Sequence, residues 1–157
     1  MIKIRLIWVG KTQLPFMQEG VKIYLKKLSS YVTIDLVEIP SSKYLSKEVY
    51  KSRLKETEKI MSKLNFSELN IFLDENGNRE TSMGFAKWLE KQIDFAIPRV
   101  NFIIGGAYGF EKSIIPENIY YMSLSDMTYT HQMVRLVLIE QIYRALKIIR
   151  KEPYHHI

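Results

Sequence analysis

The chain has 157 residues, of which 46% are hydrophobic and 25% charged, and its 23 Lys and Arg against 17 Asp and Glu give a formal net charge of +6. This length and composition predict one globular domain over residues 1–157. The absence of cysteine excludes disulfides, thiolate metal sites and cysteine nucleophiles. No apolar run reaches the roughly 18 residues of a membrane span, and the N-terminal segment MIKIRLIWVGK has no signal-peptide pattern, so we expect a cytoplasmic location and no membrane partner.

Strand-like and helix-like segments alternate along the chain. Runs of β-branched and aromatic residues predict strands over 2–9, 32–39, 69–74, 100–104 and 120–124, with a turn over 75–78. Helical spacing of apolar residues predicts a helix beginning at Pro15, one capped by Ser46 with Tyr50, Leu54, Thr57, Met61 and Leu64 on its apolar face, one over 82–95 and one over about 131–150. Such alternation predicts an α/β fold, a mostly parallel sheet with helices on both faces.

The last predicted helix is apolar on two faces. One stripe contains Val134, Leu138, Ile142, Ala145 and Ile149, and the other contains Leu136, Ile139, Tyr143 and Leu146. A terminal helix of a small domain needs only one buried stripe, so the second favours packing against another copy of the chain. The alternative is a helix buried deeply in its own core.

Several common functional motifs are absent from the sequence. Gly10, Lys11 and Thr12 follow the first strand, but the further glycine of a phosphate-binding loop is missing, and no strand is followed by a dinucleotide-binding glycine fingerprint. The three histidines, His131, His155 and His156, do not have metal-ligand spacing. We therefore expect no metal ion.

Two loops are candidates for a binding site. The fourth predicted strand runs into Gly105 and Gly106, with Gly109 three residues later, which leaves backbone groups open to a flat ligand. Residues 124–129 form a second polar loop directly before the long helix. Since ligands usually bind at the carboxyl ends of parallel strands, the two loops together can hold a nucleoside, although a plain tight turn at the glycines is an alternative.

Three segments carry a family resemblance: IGGAYG (104–109), SLSDMTYTHQMVR (123–135) and EQIYRALKIIRKEPYHH (140–156). They closely resemble the ribosomal RNA large-subunit methyltransferase H family of the SPOUT superfamily, and the VGK and EIP that end the first two strands match in order. The resemblance implies a homodimer with a C-terminal trefoil knot. It also implies S-adenosylmethionine-dependent methylation of N3 of pseudouridine-1915 in helix 69 of 23S rRNA, on the assembled 70S ribosome. The alternatives are a non-catalytic ribosome-binding factor and a SPOUT methyltransferase acting on tRNA.

The resemblance also assigns residues. It implies cofactor binding by Leu73, Gly105, Leu124, Ser125, Asp126, Met127, Thr128 and Tyr129. Beyond Pro153, which ends the helix, Tyr154 can stack on a base and His155 can accept a proton, so both are catalytic candidates. His156 and Arg135 are candidates for RNA contact, as is Arg144, although pairing with Glu140 is the favoured role of Arg144. Thr130 stands where relatives commonly have proline.

Overall fold

A computed structural model describes residues 1–42 and 46–156, and it confirms the predicted α/β class. The five strands pair in the order β2-β1-β4-β3-β5, and every pairing is parallel. The strands are β1 (Lys3–Val9), β2 (Thr33–Ile39), β3 (Leu69–Arg79), β4 (Val100–Ile104) and β5 (Tyr120–Ser123), and the helices are α1 (Pro15–Leu28), α2 (Val49–Met61), α3 (Ser82–Asp94) and α4 (Met133–Ile149). Short 3₁₀ turns occupy Ser46–Glu48 and Lys112–Ile114.

Helices cover both faces of the sheet, as the sequence predicts. Alternate residues of β1 point to opposite faces, so Leu6 and Trp8 join the core beneath α1, α3 and α4, whereas Ile7 joins the core that includes Ile60 of α2. Central strand β4 is buried along its whole length. This burial on both sides explains why β4 is apolar at every position except Asn101.

Strand β3 is longer than predicted, because residues 75–78 belong to it and do not form a separate turn. Leu73 and Asn78 both lie opposite Met122 of β5, so the residues between them bulge out of the ladder. A Cβ at Gly77 would lie 2.6 Å from the backbone nitrogen of Met122, and only glycine fits there. The bulge places Asp74 beside the carboxyl end of β4.

The buried face of α2 is more polar than the predicted one. Tyr50 is 57% exposed, whereas Ser52, Glu56, Thr57 and Ile60 are buried. The N-cap residue of the helix, Glu48, makes no side-chain capping bond, and the side chain of Ser46 lies outside the described residues. Polar side chains are needed on this face because α2 packs against the loop that follows β4 and not only against the sheet.

Helix α4 lies between α1 and α3 and is buried by its own chain. In the second apolar stripe, Ile139 is fully buried and Leu146 is 4% exposed. Half-buried Leu136 lies against Gly20 of α1, and Tyr143 packs edge-on against tyrosines of the same chain. Two residues of the stripe are therefore buried within the chain and two are only half-buried, so a dimer contact through this stripe stays a prediction.

Candidate active site

A cavity of about 420 Å³ opens at the carboxyl ends of β3, β4 and β5. Three segments form its walls: residues 73–76 from the β3 bulge, residues 104–110 after β4, and residues 123–125, 127–129, 131 and 134 around the start of α4. This volume is in the usual range for a pocket that holds a small ligand. The fold therefore brings the two loops singled out in the sequence to one place.

The cavity is lined by seven of the eight residues predicted to bind the cofactor. These are Leu73, Gly105, Leu124, Ser125, Met127, Thr128 and Tyr129. Asp126 does not line the cavity: its side chain is 89% exposed and pairs with Arg79 at 2.5 Å. Its contact with Arg79 instead ties the loop to the end of β3.

The glycine loop after β4 folds back on itself. A Cβ at Gly105 would lie 3.1 Å from the backbone carbonyl of Gly109 and 3.2 Å from the ring of Phe110. Gly109 has a φ of +73° and donates a hydrogen bond from its nitrogen to the Gly106 oxygen at 3.1 Å. A side chain at position 105 would thus crowd the closed loop, in addition to covering the open backbone that the sequence suggested.

Side-chain hydrogen bonds hold the loop before α4. The Ser125 hydroxyl accepts from the Met127 nitrogen at 2.9 Å, and the Thr128 hydroxyl donates to Glu75 of the β3 bulge at 2.8 Å. Thr130 accepts from the Met133 nitrogen at 3.1 Å. Thr130 therefore caps the start of α4, a bond that proline has no side-chain acceptor to make.

Helix α2 supports the glycine loop from behind. The Thr57 hydroxyl accepts from the Glu111 nitrogen at 3.0 Å, and Arg53 donates twice to the Glu111 carboxylate, at 2.9 and 3.0 Å. The carboxylate of Glu56 occupies the space where a side chain at Gly106 would lie. Burial raises the pKa of Glu56, although a hydrogen bond from the backbone of Ser42 opposes this shift.

The C-terminal tail packs along α4, away from the cavity of its own chain. The Tyr154 hydroxyl lies 3.0 Å from the hydroxyl of Tyr24 and donates to Glu140 at 3.1 Å. Burial, followed by the bond with Tyr24, strongly raises the pKa of Tyr154. Nδ1 of His155 lies 3.2 Å from a guanidinium nitrogen of Arg144, and Arg144 pairs with Glu140 at 2.6 Å, as predicted.

Of the tail residues that the structure describes, 150–156, none lines the cavity. The cavity reaches only to Val134 in the first turn of α4, whereas the tail leaves α4 after Ile149 and returns as far as Glu140. Six residues of helix, a rise of about 9 Å, separate Glu140 from Val134. Within one chain, the predicted catalytic residues and the predicted cofactor residues are therefore apart.

Comparison with known proteins identifies the family. The family model described as "Predicted SPOUT methyltransferase" matches residues 2–155. The chain belongs to the SPOUT methyltransferase family. It is 43% identical over 157 residues to the ribosomal RNA large subunit methyltransferase H of Flavobacterium johnsoniae, with 99% of each chain covered. It is 40% identical to the protein of the same name from Geobacter sulfurreducens, over 99% of this chain and 100% of that one.

One predicted site residue of this SPOUT methyltransferase must be reassigned. Arg135 has no exposed surface, and its guanidinium binds the backbone of Val9 and Gly10 inside the protein. A side chain without accessible surface cannot contact RNA, so the prediction of an RNA-binding Arg135 is wrong. Arg135 lies three, four and seven residues before Leu138, Ile139 and Ile142, and this helical spacing is the signal in the sequence that places it on their buried face.

Other cavity residues of the SPOUT methyltransferase were not predicted. His131 is half-buried in the cavity wall, where burial and the charge of Arg135 lower its pKa and keep the imidazole neutral at neutral pH. Asp74 and Glu75 reach the cavity through the β3 bulge, and Asp74 pairs with Lys112 at 2.9 Å. The signal in the sequence that could have pointed to His131 is its position two residues after the predicted loop 124–129.

In the part of the chain that the structure describes, no cluster of three or more His, Asp or Glu side chains is placed to hold a metal ion. Among the described helices, none has the length and apolar character needed to cross a membrane.

Proposed function

We propose that this SPOUT methyltransferase transfers the methyl group of S-adenosylmethionine to N3 of pseudouridine-1915 in helix 69 of 23S rRNA, on the assembled 70S ribosome in the cytoplasm. The observation that carries the proposal is the cavity at the strand ends, lined by seven of the eight cofactor residues that the family resemblance assigns. Relatives named as ribosomal RNA large subunit methyltransferases, matched over 99% of this chain, support large-subunit ribosomal RNA as the substrate. We also propose that the C-terminal part of the chain is threaded into a trefoil knot.

The residues of the cavity fit S-adenosylmethionine. Leu73 and Ile104 give an apolar surface for the adenine ring, and the loop hydroxyls of Ser125 and Thr128 lie in the same wall. Asp74 and Glu75 add carboxylates to a cavity that must hold a cationic ligand. When bound, the cofactor supplies a methyl group on a positively charged sulfur.

The chemistry requires the imide N3 to lose a proton as the new bond forms. The N3–methyl bond forms, the sulfur–methyl bond breaks with its electron pair returning to sulfur, and the proton passes from N3 to an acceptor. The raised pKa of Tyr154 keeps its phenol protonated, which suits it to stacking and hydrogen bonding rather than to accepting this proton. We assign the acceptor role to His155.

The geometry of His155 adds one condition to this role. Because a guanidinium only donates hydrogen bonds, Nδ1 of His155 accepts from Arg144, and the lone pair that could take a proton is occupied. His155 must therefore leave Arg144 before it can act as a base. Substrate binding beside the tail can provide this change, since a phosphate or carbonyl oxygen can replace the imidazole as the partner of Arg144.

A second copy of the chain is required for the tail to meet the cavity. Tail and cavity are apart in one chain, so we propose that each working site combines the cavity of one protomer with Tyr154 and His155 of the other. The exposed apolar side chains beside the cavity support a homodimer there: Leu14 (46% exposed), Phe16 (61%), Met127 (79%) and Tyr129 (39%). A hydrogen bond from the Gln13 nitrogen to the side chain of Gln132 places these two segments side by side.

The surroundings of the tail suit an RNA substrate. At the ends of α1 and α4, cationic groups lie over tyrosine rings: Lys27 over Tyr24 at 4.9 Å, and Arg150 over Tyr31 at 4.5 Å. Exposed His156 lies at the same end. Interleaved cations and aromatic rings bind phosphates and bases together, an arrangement that is not visible in the linear sequence.

The experiment that tests the function is mass-spectrometric mapping of 23S rRNA from cells that lack the gene. We expect one methyl group to be missing from helix 69, and purified protein with S-adenosylmethionine to restore it on isolated 70S ribosomes. Ribosome binding without cofactor binding in calorimetry would support a non-catalytic factor. A methyl group lost from tRNA, with helix 69 unchanged, would support the tRNA alternative.

A further inference from the structure

Arg135 is a buried cation that is held by uncharged acceptors. Its donors reach Val9 O (2.6 Å), Gly10 O (3.0 Å), Thr12 Oγ1 (3.1 Å) and His131 O (3.2 Å). Burial lowers the pKa of Arg135 to about 10, with an opposing contribution from the charge of Glu38, so the side chain stays protonated at neutral pH. A buried charge is unfavourable unless hydrogen bonds or opposite charges compensate for the lost hydration, and here four hydrogen bonds do so.

The guanidinium takes the place of a missing strand neighbour. Pairing between β1 and β4 ends at Trp8 and Ile104, because the chain turns away at Gly105. Beyond that point Arg135 binds the freed Val9 carbonyl, and its guanidinium carbon lies 4.9 Å from the centre of the Trp8 ring. The four bonds join the end of β1 to the peptide of His131, which is part of the cavity wall.

Gln132 makes a second connection between the same segments. Its side-chain oxygen accepts from the Gln13 nitrogen at 3.0 Å, and its side-chain nitrogen donates to the Lys11 oxygen at 3.2 Å. Arg135 and Gln132, both in the first turns at the start of α4, thus hold this end of the helix against residues 9–13. The wall of the cavity cannot shift against this segment without breaking these bonds.

We propose that Arg135 is a positioning residue for the cofactor pocket: it fixes the peptide of His131 against the loop after β1, and cofactor affinity depends on this link. The proposal rests on the proposed function, in which the cavity binds S-adenosylmethionine. A purely structural Arg135 would change the stability of the protein but not the affinity of the molecules that remain folded. The two roles can therefore be separated by measuring affinity and stability on the same variants.

The test is calorimetry of S-adenosylmethionine binding to full-length protein, well below the unfolding temperature of each variant. We expect Arg135→Met and Arg135→Lys each to raise the Kd at least about tenfold, since a single ammonium cannot span acceptors on both segments as the planar guanidinium does. Thr12→Val removes one bond and is expected to raise the Kd about threefold. Leu28→Ala is the control, because Leu28 is fully buried at the other end of α1 and loses packing without approaching the cavity.

Wild-type affinity in both Arg135 variants would overturn the proposal, and so would an equal loss of affinity in Leu28→Ala. If the Arg135 variants do not fold, the Thr12→Val variant decides, and an unchanged Kd in that variant would overturn the proposal.

Hydrogen exchange separates this proposal from the proposed function. Should the wild-type protein not bind S-adenosylmethionine, the proposed function fails. Faster exchange at residues 124–131 in Arg135→Lys or Thr12→Val than in the wild type still supports the link, and unchanged exchange there contradicts it.

Discussion

The two ends of α4 are built differently. At its start, loops and backbone groups from three strands close around a cavity, and hydrogen bonds of Thr128 and Thr130 fix the wall. At its far end, tyrosines, cations and the returning tail form a surface cluster with Tyr154 at its centre. The first end forms a pocket and the second a surface cluster, and under our proposal each working site combines the first end of one chain with the second end of another.

The largest effect is expected where α4 passes between these two ends. Ile139→Glu places a carboxylate at a fully buried position without a described cationic partner, and should lower the free energy of unfolding by at least about 4 kcal/mol. Chemical denaturation followed by circular dichroism measures this loss. If the variant were instead a folded, stable monomer, that result would support a dimer interface at this stripe and contradict the expected loss of stability.

Removal of the tail is expected to separate the two ends functionally. Deletion from Tyr154 onward should reduce methylation of 70S ribosomes at least about tenfold, because the base and the stacking group are lost. The Kd for S-adenosylmethionine should stay within about twofold of the wild type, since no described tail residue lines the cavity of its own chain. Loss of cofactor affinity in the truncated protein would show that the tail takes part in cofactor binding and would contradict this separation of the two ends.

The next effect concerns the cavity end. Gly105→Ala should raise the Kd for S-adenosylmethionine about five- to tenfold, because the new Cβ forces the Gly109 backbone, 3.1 Å away, to move. Gly20→Ala is a matched control: its Cβ would meet the Leu136 side chain at the same 3.1 Å, but on α1 and away from the cavity. Equal affinities for the two variants would argue against a pocket shaped by the glycine loop.

The smallest effect is a pH dependence from the support behind the loop. Because burial raises the pKa of Glu56 in the folded protein, the folded state holds its proton more tightly than the unfolded state. Its contribution to stability is therefore full below the unfolded pKa of about 4.5 and is lost as the pH rises through the raised folded value. Glu56→Gln should make the unfolding midpoint less dependent on pH in this window. An unchanged pH profile would contradict a raised pKa of Glu56 in the folded protein.

Much of the cavity end could be predicted from the sequence, because its determinants are local. A largely apolar run that ends in glycines predicted β4 and its loop, and seven of the eight cofactor positions carried by the family resemblance lie on the cavity wall. The β3 bulge could not be predicted, since residues 75–78 have the composition of a turn and become part of a strand only by pairing with β5. Helical spacing places Arg135 and Ile139 on one face with Leu138, but only tertiary packing shows that the chain itself covers this face.

The most direct test of a site shared between two chains is a mixing experiment with two inactive variants. One protomer lacks residues from Tyr154 onward and keeps its cavity; the other carries Gly105→Trp, which blocks the cavity but keeps its tail. Random pairing at equal amounts makes half of the dimers mixed, each with one intact site, so about a quarter of the wild-type methylation of 70S ribosomes should return. No recovery, in a sample where mass spectrometry shows that mixed dimers have formed, would contradict the shared site.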